Sequence, residues 1–295
     1  MEQTSFGERF GRIPWSHVIT PIRLRAVRDG LSLLGLAALV WAIATQPGDD
    51  VHTYWGFDAT QPYGALVGHP NAFLYSPVAA LAALPLHALP FPLVRGLLIL
   101  IDLACLVYLA RTWAVAVIAL PPVLGDISSG NIHIILGTVI ALSLRYPAAW
   151  SFVLLTKVTP GIGLIWFAVR RQWRELAIVI GTTLTLAFAS FAIVPHWWPA
   201  WFHVLTASSG APVTAVVLTT APLAPRVVAA AVLVAWGARG GRAWTLPLAG
   251  LIALPEVWVM GSSMLLGALP LLRQIPAKQS PAKLPSRPLA EPVRQ

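Results

Sequence analysis

Apolar runs dominate this chain, and they recur too often to be hidden in one water-soluble core. The first spans Leu31 to Thr45. Others follow near 77–90, 94–110, 113–124, 132–144, 148–169, 176–194, 224–238 and 244–272. Charged residues make up 11% of the sequence and hydrophobic ones 57%, where a soluble domain carries roughly 25% charge. So few charges cannot cover a surface facing water. The expected fold is an all-α membrane protein, a polytopic helical bundle with about 9–10 transmembrane helices, some short or broken. The run 244–272 is expected as two short helices broken at Pro255-Glu256. The 26 prolines and 22 glycines fit such breaks, which membrane packing tolerates.

The net charge of +9 does not indicate nucleic acid as a partner. The cations cluster between apolar runs, as the positive-inside rule expects, and form no basic face on a soluble module. Cys105 is the single cysteine and lies inside an apolar run, which excludes an intrachain disulfide and a thiolate metal site. The first apolar run ends in Thr-Gln-Pro-Gly-Asp-Asp rather than in small residues. It is therefore expected to stay as the first span rather than to be cleaved.

Four regions follow. Residues 1–30 form a basic cytoplasmic segment, residues 31–274 the membrane domain, residues 46–75 its outer loop, and residues 275–295 a disordered basic cytoplasmic tail. A short surface helix is expected near Tyr54 to Leu66. Counting spans puts Arg170, Arg171, Arg174, Arg239, Arg242 and the tail on the same side as the N-terminus. The same count puts Arg111 and Arg145 outside and Gly130-Asn131 on the cytoplasmic side.

Few residues are polar enough to carry chemistry. Asp49-Asp50 follows directly on the first apolar run, where a carboxylate can serve as general base toward a substrate at the lipid surface. Its outer loop also holds His52, Tyr54, Asp58, Tyr63 and His69. Phe73-Leu74-Tyr75-Ser76-Pro77 reads as an aromatic belt with a proline in a first helical turn. Gly125-Asp126-Ile127-Ser128-Ser129-Gly130-Asn131-Ile132-His133 is a polar break, either a tight helical turn or the wall of a wet cavity. Lys157 sits deep in an apolar stretch at a cost of roughly 2.5 to 3.5 kcal/mol. It must face the interior, to meet an anionic phosphate or to pair with Asp102 or Asp126. Pro195 to His203 reads as an aromatic belt whose His196 and His203 could also hydrogen-bond a phosphate or sugar. No histidine pair has metal-ligand spacing, so no metal is expected.

The order of these elements resembles glycosyltransferase family 87. The resemblance rests on the Asp-x-x-x-Tyr element Asp50 to Tyr54, on Pro62-Tyr63 with Phe73-Leu74-Tyr75-Ser76-Pro77, and on Gly130-Asn131, a contracted form of the family's Gly-Gln-x-Asn. It is completed by the Lys-x-x-Pro element Lys157 to Pro160 with the basic loop Arg170-Arg171-Gln172-Trp173-Arg174. It covers about residues 28–200.

The family implies a GT-C fold and transfer of mannose or a similar sugar, with inversion, from a polyprenyl-phosphate donor. The acceptor would be a lipid or glycan at the outer face of the cell membrane, reached in a lipid surround. The resemblance selects Asp50 as the base and makes Asp49 a neighbour whose charge raises the pKa of Asp50. Lys157, Arg111, Arg145, Arg226 and His196 become candidates for the donor phosphate. Tyr54, Tyr75, Asn131 and His52 become candidates for substrate contact. No cofactor is implied. Two other classes fit the composition: a lipid-carrier transporter or flippase, and a non-catalytic envelope-assembly subunit.

Overall fold

The structure, a computed structural model, describes residues 21–65, 72–207, 218–219 and 221–274. The expected N-terminal segment up to residue 20, His69 and the tail from residue 275 lie outside the described residues. Among the described residues there is no strand, and the chain is an all-α polytopic membrane protein.

The first helix, α1 (Pro21–Thr45), ends just before Gly48, whose left-handed φ of 77° swings the chain into α2 (Asp49–Gly56). Ser76 caps α3 (Pro77–Ala83), which carries proline in its first turn and continues as a 3-10 stretch, Leu84–Ala88. There follow α4 (Phe91–Ala110), α5 (Pro121–Ser129) and α6 (His133–Ser143), the last two meeting at a bend of 104°. Next, α7 (Trp150–Thr156) leads through the 3-10 segment Thr159–Leu164 into α8 (Ile165–Val169). The chain continues with α9 (Trp173–Ile193), α10 (Trp197–Ala207), α11 (Leu223–Arg239) and α12 (Thr245–Ala253). It closes with a 3-10 segment, Met260–Gly267, and α13 (Ala268–Arg273).

Three of these are long and apolar enough to cross a membrane: Ile22–Thr45, Phe91–Trp113 and Trp173–Ile193. A fourth span results if the bent pair α5 and α6 counts as one. Large apolar side chains such as Val40, Leu100 and Phe188 point outward from the long helices at 68%, 63% and 69% exposure. That is the reverse of a soluble protein and the natural state of a lipid-facing one. Two of the shorter helices, α3 and α5, start at prolines, which need no hydrogen bond in the first turn and stop the preceding segment from continuing.

The direction of each helix decides which residues share an end. Arg95 Nη1 donates to the Ile43 carbonyl at 3.0 Å, and the Phe91 ring stacks on His52 at 3.9 Å. The end of α1, all of α2 and the start of α4 therefore lie together, at what is here named the upper end. The 20 residues of α4 climb about 30 Å along its axis, which carries Arg111 to the lower end. Asn131 is bonded to Asp50 at the upper end, so α6 descends from there to Arg145.

The next segment rises and falls within itself. Gly163 packs against Trp150 and Gly161 against Leu154, so tightly that a Cβ would sit 2.2 Å and 2.4 Å from those side chains. Residues 150–169 are thus a helical hairpin with Lys157 near its tip.

Two expectations about spans are corrected. The segment 77–90 does not cross. It begins beside α2, where the Tyr75 and Tyr54 hydroxyls are 3.0 Å apart. It ends beside α2 as well, with His87 against Phe57 (4.5 Å) and the Leu89 carbonyl accepting from Trp55 Nε1 (2.8 Å). Residues 148–169 run up and back rather than crossing once. The two miscounts cancel for Arg170 and beyond, and everything between them changes side. Gly130-Asn131 joins Asp50, and Arg111 and Arg145 join the other arginines. The surface helix also lies earlier than expected, at Asp49–Gly56 rather than near Tyr54 to Leu66.

The core gathers around α6, with Leu136, Ile140, Trp150, Phe167, Leu246 and Met264 fully or almost fully buried. Here α6 and the Met260–Gly267 segment touch backbone to backbone. A Cβ on Gly137 would lie 2.6 Å from the Met264 carbonyl oxygen, and one on Gly267 would lie 2.4 Å from that of Gly137. This close crossing brings Ser263 to the site described next. A separate aromatic cluster of Phe57, Tyr63, Phe73, Trp197 and Trp201 packs the outer loop against α10.

Candidate active site

The two carboxylates that open α2 face different surroundings. Both lie in its first turn, where the unpaired N–H groups favour a negative charge. Asp49 is exposed, whereas Asp50 is half-buried and turned toward α5 and α6.

That approach depends on Gly130. It ends α5 with a left-handed φ of 77°, and its amide and that of Asn131 both donate to the Asp126 carbonyl at 3.0 Å. A Cβ at Gly130 would stand 2.2 Å from Val51 Cγ2. Only glycine serves both requirements. The glycine lets α2 lie directly on the bend, and Asn131 is then in reach of Asp50.

Asn131 couples two charges. Its Nδ2 donates to Asp50 Oδ2 at 2.9 Å, and its Oδ1 accepts from the Ile132 amide at 2.8 Å and from Lys157 Nζ at 3.4 Å. These partners fix which way the amide points.

Lys157 has a second, closer partner. Its Nζ is 2.7 Å from His133 Nε2, and His133 Nδ1 is 2.9 Å from Asp126 Oδ1. The fully buried Asp126 also accepts through Oδ2 from the Ile134 amide and from Ser263 Oγ, each at 2.9 Å. With Asp126 as the acceptor, His133 carries its proton on Nδ1 and offers the Nε2 lone pair to the Lys157 ammonium. The same carboxylate caps the start of α6 across the bend.

Asp50 thus stands at one end of a continuous hydrogen-bonded chain: Asp50, Asn131, Lys157, His133, Asp126, Ser263. Burial raises the Asp50 pKa, and the Asn131 hydrogen bond, the Lys157 charge and Ser129 pull against it. The carboxylate that adds to the rise is Asp126 rather than Asp49. Burial also raises the phenol of Tyr54, with Tyr75 and then Asp50 contributing, and that of Tyr75, with Asp50 contributing. The two hydroxyls meet 3.0 Å apart, Tyr63 Oη donates to the Tyr75 carbonyl at 2.9 Å, and Ser76 Oγ donates to the Leu155 carbonyl at 2.5 Å. The last contact joins the start of α3 to the end of α7, two residues before Lys157.

The other candidates make their contacts elsewhere. Arg111 is exposed at the lower end, where it ends α4 with a φ of 54°. Arg145, also at the lower end, lies over Tyr146 at 5.4 Å. Arg226 is at the upper end, where it clamps the carbonyls of Ala221, Ile252, Leu254 and Pro255 at 2.6 to 3.1 Å. Exposed His196 meets Trp197 edge-on at 6.2 Å. His52 packs in the Phe91 and Trp55 stack. The expected Lys157 pair with Asp102 is not formed: Lys157 reaches Asp126 only through His133, and Asp102 Oδ1 is buried without a partner.

From the sequence, His133 and Asp126 have no role beyond the polar break and an expected Lys157–Asp126 pair, and Ser263 has none. The polar break Gly125 to His133 carried a signal for the first two. They are seven residues apart, two helical turns, which a bend at Gly130 brings face to face. Ser263 carries no signal, because its approach depends on the Gly137 and Gly267 crossing.

Comparison with known proteins adds one match. The family model of glycosyltransferase family 87 matches residues 73–274, and neither a curated protein nor a solved structure matches. The matched stretch contains Asn131, Lys157, His133, Asp126 and Ser263, while α2 with Asp50 precedes it.

Proposed function

The chain belongs to glycosyltransferase family 87 and is a membrane glycosyltransferase. From that premise we propose that Asp50 is the general base, and Lys157 the phosphate-binding cation, of an inverting transfer from a polyprenyl-phosphate sugar. The single observation that carries the reading is the bridge at Asn131. One amide joins a carboxylate from α2 to a cation from the α7 hairpin, and it comes from the bend between α5 and α6.

The chemistry needs both charges. The Asp50 carboxylate accepts the proton of an acceptor hydroxyl as its oxygen attacks the anomeric carbon. The bond from that carbon to the lipid phosphate breaks, and its electron pair leaves on the phosphate oxygen. Lys157 meets the charge that develops there. His133, held by Asp126, fixes the ammonium from behind, so no reorientation is needed during transfer. Tyr54 and Tyr75 present hydroxyls beside Asp50, suited to a sugar. Nothing in this chemistry demands a nucleotide.

The arginines at the lower end support a placement by the positive-inside rule. That end faces the cytoplasm, so the site opens to the outer face, where a lipid-linked donor and a lipid or glycan acceptor meet. In this reading residues 31–274 form one GT-C-like catalytic unit.

The test is transfer from radiolabelled polyprenyl-phosphate mannose by the purified full-length chain. Asp50→Asn should lower the rate by about 10²- to 10⁴-fold, the usual weight of a general base. The assignment is overturned if Asp50→Asn and Asp49→Asn, both folded and membrane-inserted, transfer at wild-type rates. Movement of the intact donor across vesicles without transfer would favour a lipid carrier instead.

A further inference from the structure

At the lower end, away from the chain of polar residues around Asp50, the helix termini border a half-open cavity of about 480 Å³. Leu144 after α6, Trp166 and Arg170 from the α8 region, Gln172, Gly241 and Leu271 of α13 line it. The Arg170 guanidinium is fixed in place. Nη1 donates to the Ala238 carbonyl at 3.1 Å, and the group lies over the Trp166 ring at 5.3 Å. A guanidinium has five donors, so donors remain for a ligand.

Gln172 offers the complementary feature. Its Oε1 is buried and has no hydrogen-bond partner, a costly state for a buried acceptor. A ligand here meets a cation, and it relieves the Gln172 acceptor once that side chain turns toward the cavity, because no solvent reaches Oε1 as it stands.

The surroundings supply charge and depth. Arg145 adjoins Leu144, Arg239 and Arg242 bracket Gly240-Gly241, and Arg273 precedes the lining residue Gln274. The acidic side chain on these segments is Glu175, in the first turn of α9. Trp173 and Trp236 are exposed beside these arginines, with Trp236 and Trp244 edge to face at 6.4 Å and Arg242 over Trp236 at 4.3 Å. Such a belt marks the headgroup level of a bilayer. Basic pockets between helices at that level suit phospholipid headgroups.

We propose that this cavity binds the headgroup of an anionic glycerophospholipid bearing free hydroxyls. Arg170 holds the phosphate, a headgroup hydroxyl donates to Gln172 Oε1, and Leu144 and Leu271 meet the glyceride end. The site is separate from Asp50 and does not depend on the sugar, donor or acceptor.

The test uses native mass spectrometry of the delipidated full-length chain in detergent, with phosphatidylglycerol or phosphatidylcholine added. One phosphatidylglycerol should be retained roughly tenfold more tightly than phosphatidylcholine. Arg170→Gln should abolish that preference, whereas Arg174→Gln, an exposed arginine outside the lining, should keep it.

Ala243 also lines the cavity, so Ala243→Phe fills it without changing the charge and should also remove the tight site. Gln172→Leu gives the same charge-neutral test if the phenylalanine variant does not fold. Wild-type retention by a folded Ala243→Phe or Gln172→Leu protein would mean diffuse surface attraction and overturn the proposal. Equal retention of the two lipids would overturn it as well. Displacement of the lipid by millimolar glycerol 3-phosphate would point to a soluble phosphate ligand and reject the lipid.

Discussion

At the residue scale, the site depends on which atoms donate and which accept. Asp126 receives donors on both oxygens, which sets the His133 proton on Nδ1 and frees Nε2 for Lys157. Asp126→Asn places an amide N–H among donors. The relief is for His133 to accept on Nδ1, which turns an Nε2–H toward the Lys157 ammonium. The expected result is a loss of kcat of about 10²-fold with folding retained, read from transfer kinetics and thermal unfolding. Asp50 gives a pH prediction. Its pKa is raised, mainly by burial, and in the proposed mechanism the ionised form is the base. Activity therefore falls as pH drops through that raised value, and the acid limb lies above the ordinary carboxylate range. Asn131→Ala removes a hydrogen bond that favours the charged form and should move the limb to still higher pH. For stability the sign is opposite. The folded state holds the Asp50 proton more tightly than the unfolded state, so this contribution is present below the unfolded pKa and lost as pH rises through the folded one. Asp50→Asn should unfold at a higher temperature than wild type at neutral pH while losing activity.

At the element scale, the bend between α5 and α6 does what neither helix does alone. A straight continuation would carry His133 away from Asp126 and Asn131 away from Asp50. The bend is possible because Gly130 takes a left-handed φ and leaves Val51 its space. Gly130→Ala should cost about 1–3 kcal/mol from backbone strain and overpacking, and should lower activity by separating Asn131 from Asp50. Adding Val51→Ala should restore part of both losses by relieving the contact. The φ strain stays, so recovery is incomplete. Thermal unfolding of the single and double variants measures that coupling. The α7 hairpin is the other enabling element, because its tip carries Lys157 back to the level of α2.

At the scale of the whole molecule, short legs and one non-crossing segment set the sidedness. Both ends of residues 77–88 rest on α2, and residues 150–169 return to the end they left. In a Cys105→Ser background, single cysteines at Thr60, Arg111 and Arg145 report this with an impermeant thiol reagent. Thr60 should label from one side of oriented vesicles, and Arg111 and Arg145 from the other. Counting apolar runs in the sequence puts all three on one side, so common labelling would overturn the architecture.

The class follows from the sequence alone, because 11% charge cannot solvate a surface. The chemistry on offer follows as well, because Asp50, Asn131 and Lys157 are polar residues in places where polarity costs free energy. Hydrophobic length marked the long helices α1, α4 and α9 well, since a crossing needs a minimum number of apolar residues. It could not tell a short crossing leg from a surface helix or a hairpin, because the three have the same composition. It took the packed fold to bring Gly130-Asn131 beside Asp50, to stand His133 and Asp126 behind Lys157, and to gather Arg111, Arg145 and Arg170 at one end. Those facts rest on backbone direction and on contacts at glycines, between residues up to 137 positions apart, and no local pattern records them.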